Sequence, residues 1–294
     1  MLYKISFSLL FFYLGICFTC VSQDTLESAK KIQAQIIKYS QDTSNVDAAY
    51  NLSCLYSLSN NIDSALYFLN TAINNGYKDR WAFYDPDLEN IRQLSNWGNI
   101  RSKITNRFIL ENPNIDTSIT FPLLDMYNID QCVRRDFLIL MDKYGFDAIE
   151  LDSIKIEAKK IDSINRVDFV DLIKKYGWPN RETVGNNGME SVFTIIQHSP
   201  LSFQKTYLPF IEESVKKGDM STSTYAFFID KMLVNENKKQ RYGTQYRLIN
   251  KQDNTYEPCP IEDELNLNKR RAEMGLEPME GSELQFGVKY PNPK

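Results

Sequence analysis

The chain has 294 residues with a formal net charge of −4, and hydrophobic residues make up 43% of it. That length and apolar content suit two domains with their own cores. The acidic balance argues against a general nucleic-acid binder, which needs a clustered positive face.

Residues 1–22 read as an export signal. Lys4 supplies a short basic start, and Ile5 to Phe18 is almost wholly apolar. That run is short for a membrane helix, which takes about 20 apolar residues. Cys20-Val21-Ser22 places small residues before Gln23, so cleavage is expected after Ser22, giving an exported chain in the periplasm or outside the cell. A lipoprotein signal acylating Cys17 or Cys20 fits poorly, because Ile16 and Thr19 precede them where a small residue is preferred. The mature chain would keep Cys54, Cys132 and Cys259, enough for one disulfide with one thiol left over. Their spacing fits no zinc pattern, and with His198 the only histidine no metal site and no cofactor is expected.

Residues 23–112 form the first expected domain. Ile62, Ala65, Leu66, Leu69, Ala72 and Ile73 recur at steps of three and four, which predicts one helix face ending at Asn75-Gly76. A preceding helix carries Ala49, Leu52, Ser53 and Tyr56, with the turn at Asn60-Asn61. This spacing of Ala49, Leu52, Ser53, Tyr56, Ala65, Leu69 and Ala72 resembles a tetratricopeptide repeat. The following segment, with Asp85-Pro86-Asp87-Leu88 and Trp97, resembles the helix pair that closes such arrays. One repeat cannot bury its own face, so it must pack on a neighbour, and the resemblance implies a protein partner.

Asn112-Pro113-Asn114 through Phe121-Pro122 reads as a break, and residues 121–294 as a second helical domain. Helices are expected at Leu123 to Tyr144, at Leu151 to Tyr176 and from Met189 to His198. Gly177-Trp178-Pro179 separates the last two as an architectural stop. Pro209 opens or kinks the next helix, Ser221 caps another, and Ile261 to Met274 is the last. Residues 241–250 alternate, which suggests a strand, with a turn at Asn250 to Asn254. The fold class is therefore mainly α: tetratricopeptide-like hairpins, then a helical domain with a small β-hairpin.

The second half resembles an uncharacterised bacterial family, domain of unknown function 6624, from about Leu124 to Met279. The resemblance is carried by Gly177-Trp178-Pro179, Val184-Gly185, Gln197-His198, Asp230-Lys231, Gln240, Tyr242-Gly243-Thr244-Gln245, and Arg270-Arg271 to Pro278. Lys231 departs from the family's usual arginine and loses its planar fork. Ser199-Pro200 also stands where the family has a small residue followed by an acidic one. The resemblance implies a shared fold and site but no reaction.

The candidate site joins Gln197, His198, Tyr242, Thr244, Gln245 and Arg271 around a pocket for a small polar ligand. His198 is the candidate catalytic base, because imidazole titrates near neutral pH; at a helix end it can equally cap carbonyls. Tyr242, Thr244 and Gln245 surround a turn glycine, which suits either ligand binding or a hairpin that satisfies backbone groups. Arg134, Arg135, Arg270 and Arg271 are anion candidates, although paired charges commonly form a solvated face. Asp130 and Asp230 could orient His198 or pair with arginine. The leading expectation is a cell-envelope binding or interaction protein. The alternative is a hydrolase using His198 as general base, for which no nucleophile stands in a recognisable frame.

Overall fold

The computed structural model describes residues 25–145, 148–250 and 255–280. The expected export signal lies outside them. The described chain is mainly α-helical with one two-stranded antiparallel sheet, as the periodicity requires. The described residues divide into two compact units: one runs to Gly177 and takes in Glu182–Ser191, and the other holds Trp178–Arg181 and the described residues from Val192. The parting at Gly177 falls well beyond the sequence break at 112–122.

In the first unit, α1 (Thr25–Gln41) packs on α2 (Val46–Leu58), and α2 forms a hairpin with α3 (Ile62–Asn75). Asn45 and Asn61 cap α2 and α3 by accepting the amides of Ala48 and Ser64. Ala49, Leu52, Ala65, Leu69 and Ala72 are fully buried in the seam, and the small ones let the helices approach closely. The Ser53 hydroxyl donates to the Ala65 carbonyl at 2.8 Å, so even the polar residue of that face is satisfied across the seam. Two 3-10 turns, Arg80–Phe83 and Pro86–Leu88, lead through α4 (Glu89–Arg92) to α5 (Trp97–Glu111). Leu88, Ile91, Trp97, Ile100 and Ile104 join the same core.

Helix α6 spans Thr117–Tyr144 and encloses Pro122, where a break is expected from sequence. Near the helix start, Pro122 removes only the donor to the Ser118 carbonyl, and Ser118 is exposed to water. Helix α7 (Leu151–Tyr176) is unbroken and packs along α6. Helix α8 (Arg181–Gln197) starts earlier than its apolar spacing suggests and turns at Gly185, whose φ is +70°. A side chain there would also meet Ile115 at 3.0 Å.

The second unit holds the end of α8, then α9 (Leu201–Lys216, with Pro209 inside it) and α10 (Thr222–Asn235), capped by Ser221 as expected. Strand β1 (Tyr246–Asn250) pairs with β2 (Thr255–Pro258). The strand is shorter than the alternating stretch 241–250, because residues 241–244 curl around a carboxylate. Helix α11 is Leu267–Glu273, where Ile261 to Met274 is expected from sequence. Ile261 instead bridges to Gln240, and Asp263 takes a left-handed conformation that stops a helix from starting sooner.

Candidate functional site

The second unit builds a polar knot on Asp230. Helix α10 carries this residue at 0% exposure. Its carboxylate accepts the amides of Arg241 (2.7 Å), Tyr242 (3.1 Å) and Thr244 (3.0 Å), and the Thr244 hydroxyl (3.0 Å). Burial pushes the Asp230 carboxyl upward, and these donors pull it back down. Gly243 makes the curl possible. Its φ is +67°, and a Cβ there would sit 3.1 Å from the Met279 sulfur.

Gln240 and Arg271 close the knot from either side. The Gln240 amide donates to the carbonyls of Gln245 (2.9 Å) and Cys259 (2.8 Å), and its oxygen accepts the Gln245 amide (2.8 Å). The Arg271 guanidinium donates to the carbonyls of Tyr242 and Glu277, both at 2.6 Å. Burial lowers its pKa. Arg270 donates to the carbonyls of Arg241 (2.9 Å) and Asp263 (3.0 Å). The side chain of Gln245 donates to the Thr244 hydroxyl at 3.1 Å and the Phe227 carbonyl at 3.4 Å.

The structure therefore brings Tyr242, Thr244, Gln245 and Arg271 together, each less than 8% exposed. Arg271 and Gln245 reach backbone carbonyls, Thr244 reaches the central Asp230, and Tyr242 packs with Ala226 and Ile229. Gln197 is buried at the end of α8, where its carbonyl and that of Ser199 both accept the Gln204 amide at 2.9 Å. His198 follows it, half-buried, with its amide donated to the Thr194 carbonyl at 3.0 Å. Gln204 is 2% exposed and lies in an amphipathic helix where its sequence position gives no sign of this task.

The first unit holds two carboxylate pairs, each clasped by one of two adjacent arginines of α6. Arg135 donates to Asp85 (2.8 Å) and Asp87 (2.5 Å). Asp85 also accepts Tyr50 (2.7 Å), Trp81 (2.9 Å) and the Asp87 amide (3.0 Å). Arg134 bridges Asp130 (2.6 Å) and Asp162 (2.9 Å). These arginine side chains are 17% and 22% exposed, so a solvated helix face is ruled out for Arg134 and Arg135. Asp130 lies one turn before Arg134 on α6, but Asp85, Asp87 and Asp162 come from elements remote in sequence, which periodicity along α6 cannot register. Asp130 does pair with arginine, one of its two expected roles. Burial and the neighbouring acid push both Asp87 and Asp162 up to about 6.

The Cys54 sulfur and the Asp85 and Asp87 oxygens lie within 4.8 Å of one another, a metal-like grouping. Both Asp85 oxygens are already committed to donors, and Arg135 occupies the place of the cation. Among the described residues, Cys54, Cys132 and Cys259 are free thiols, and burial pushes Cys132 up to about 12.

The first unit also carries an open groove of about 580 Å³ between α6 and α7. Pro122, Met126 and Ile129 line one wall, and Ile161, Ile164 and Leu172 the other. Met126 and Ile161 form a floor at 6% and 8% exposure, while Ile129 and Ile164 stand at the lip at 36% and 49%. Asn165 stitches the walls together by donating to the Met126 carbonyl at 3.1 Å. Asp168, Asp171 and Lys175 rise at the edge of α7. Sequence reading misses this groove because its lining positions look like ordinary core spacing on two long helices.

Comparison with known proteins places this geometry in a family. A family model described as a family of unknown function (DUF6624) matches residues 118–286. No curated protein and no solved structure gives a match. The matched span covers α6 to α11, with the groove, Arg134 with Asp130 and Asp162, and the Asp230 knot inside it, while Asp85 and Asp87 lie before it. With more than half its length matched, the chain belongs to the family of unknown function DUF6624.

Proposed function

We propose that this chain is an exported interaction protein of the cell envelope that binds its partner on the open face of α6 and α7. The observation that carries the reading is the groove, where two long helices leave apolar side chains facing solvent. Exposed contiguous apolar surface is costly for a solitary chain and is a hallmark of interaction sites. The apolar segment Ile5 to Phe18 supports export, and no described helix is long and apolar enough to cross a membrane. The hairpin of α2 and α3, with its tetratricopeptide-like spacing, supports a helical scaffold in the same unit. The binding face thereby shifts away from Thr244, Gln245 and Arg271, whose side chains hold the 240–245 loop, and from Tyr242, which packs in an apolar cluster.

For a hydrolase, the expected alternative rests on His198 as base; the one observation that favours proton-transfer chemistry falls instead on Asp162, whose carboxyl burial raises to about 6. Its ion pair with Arg134 favours a structural role. The test of binding is a photo-crosslinking side chain placed at Ile164 in the native host. Discrete adducts that disappear when Ile129→Asp is added support the reading. Adducts no different from those of a crosslinker at exposed Phe210 contradict it.

A further inference from the structure

The groove has a charge as well as a shape, and resting on the reading above we propose that its partner is a cationic amphipathic helix. The apolar floor and lips call for an apolar stripe. The α6 wall runs from Ser118 to Ile129 and the α7 wall from Ile161 to Tyr176. At about 1.5 Å per residue these walls are roughly 16–22 Å long, which matches a helix of about three to four turns. Helix-in-groove recognition uses such apolar anchors at steps of three and four.

The rim then selects the sign of the partner's polar face. Asp125 is internally neutralised, since Arg80 donates to both its oxygens at 2.9 and 2.6 Å. Asp168 and Asp171 stand exposed, one turn apart along the α7 edge. Lys175 is drawn toward the end of the groove, where its ammonium lies 4.8 Å from the centre of the Tyr176 ring. The mid-rim is therefore acidic. Lysine or arginine flanking an apolar stripe would face Asp168 and Asp171 while the stripe covers Met126, Ile129, Ile161 and Ile164. An acidic helix of the same shape would meet like charge.

The probe is a synthetic 14-residue leucine–lysine amphipathic helix, with a leucine–glutamate twin, titrated against the mature chain by fluorescence anisotropy. The lysine peptide should bind, and Asp168→Lys/Asp171→Lys should weaken it by about tenfold or more. Ile129→Asp should abolish it. Glu213→Lys, an exposed charge reversal in the other unit, should leave it within about twofold. Circular dichroism confirms that each variant is folded. Equal losses in the double variant and in Glu213→Lys would overturn the charge assignment as unspecific attraction. Preference for the glutamate twin, or Ile129-dependent binding indifferent to Asp168 and Asp171, would also overturn it while leaving the groove as a binding face. If neither peptide binds but the Ile164 crosslink persists in the host, the cationic helix is wrong and the interaction reading survives. If both fail, both fall.

Discussion

Replacing Asp230 with alanine tests whether the knot at 240–245 is architecture. The change removes the acceptor for the amides of Arg241, Tyr242 and Thr244 and for the Thr244 hydroxyl. Tyr242 and Thr244 are buried, so three of those donors lose their partner away from water. Each such donor costs about 1–3 kcal/mol. Relief from desolvating the carboxylate offsets part of that sum, as does relaxation of the loop toward water, leaving a loss of roughly 3–5 kcal/mol. That is a large share of a typical stability of about 5–15 kcal/mol. Urea unfolding followed by far-ultraviolet circular dichroism measures it. Limited trypsin digestion gives a local readout, because Arg241 is exposed while the amide on its far side is held by Asp230. The variant should be cut after Arg241 far faster than the parent. An Asp230→Ala chain with an unchanged urea midpoint and the same digestion pattern would refute the account.

Three further outcomes follow from the geometry. Asp87 and Asp162 have ordinary carboxyl values near 3.8 and folded values near 6, so the folded chain holds protons that the unfolded chain has released. Their contribution to stability is fully present below about pH 4 and is lost as pH rises through about 6. Urea midpoints between pH 4 and 7 should show a smaller decline, or a steeper rise, in Asp87→Asn than in the parent; identical slopes would count against it. Gly243→Ala should cost about 1–2 kcal/mol, from its positive φ and the approach to Met279 at 3.1 Å, and a thermal midpoint equal to the parent's would contradict that. Iodoacetamide at pH 8 should label Cys132 slowly in the folded chain and quickly in urea, since burial holds its thiol near 12; equal rates would disprove the buried setting.

Local physics made much of the helical fold legible. Glycines with positive φ mark the ends of α3, α6 and α7 at Gly76, Gly145 and Gly177, as turn chemistry anticipates. Pro122 misled because a proline close to a helix start removes a donor from a solvated carbonyl alone. Strand and helix limits around 241–266 were hidden for a different reason. The Asp230 carboxylate, an isolated bridge and a left-handed Asp263 decide that backbone, and none of them has a periodic signature. The grouping of Tyr242, Thr244, Gln245 and Arg271 could be read from the density of polar residues, but density does not say whether donors face a ligand or a carbonyl. Asp130 is a local partner of Arg134, but Asp162, Asp85 and Asp87 lie 28 to 50 residues from the arginines they meet, beyond any local pattern. The groove was concealed because an apolar residue at a helix lip and one in a core have the same spacing.

The central claim is that the α6–α7 groove binds and the 240–245 loop holds the fold. The direct measurement is a paired one, in which stability and the yield of Ile164 crosslinking are recorded for Gln245→Ala and for Ile129→Asp. Gln245→Ala should lower stability by about 1–2 kcal/mol, through the donors and acceptors it leaves unmatched, and should spare the crosslink. Ile129→Asp, at a lip that is 36% exposed, should spare stability and remove the crosslink. The opposite pattern, with crosslinking lost in Gln245→Ala at unchanged stability and kept in Ile129→Asp, would contradict the account.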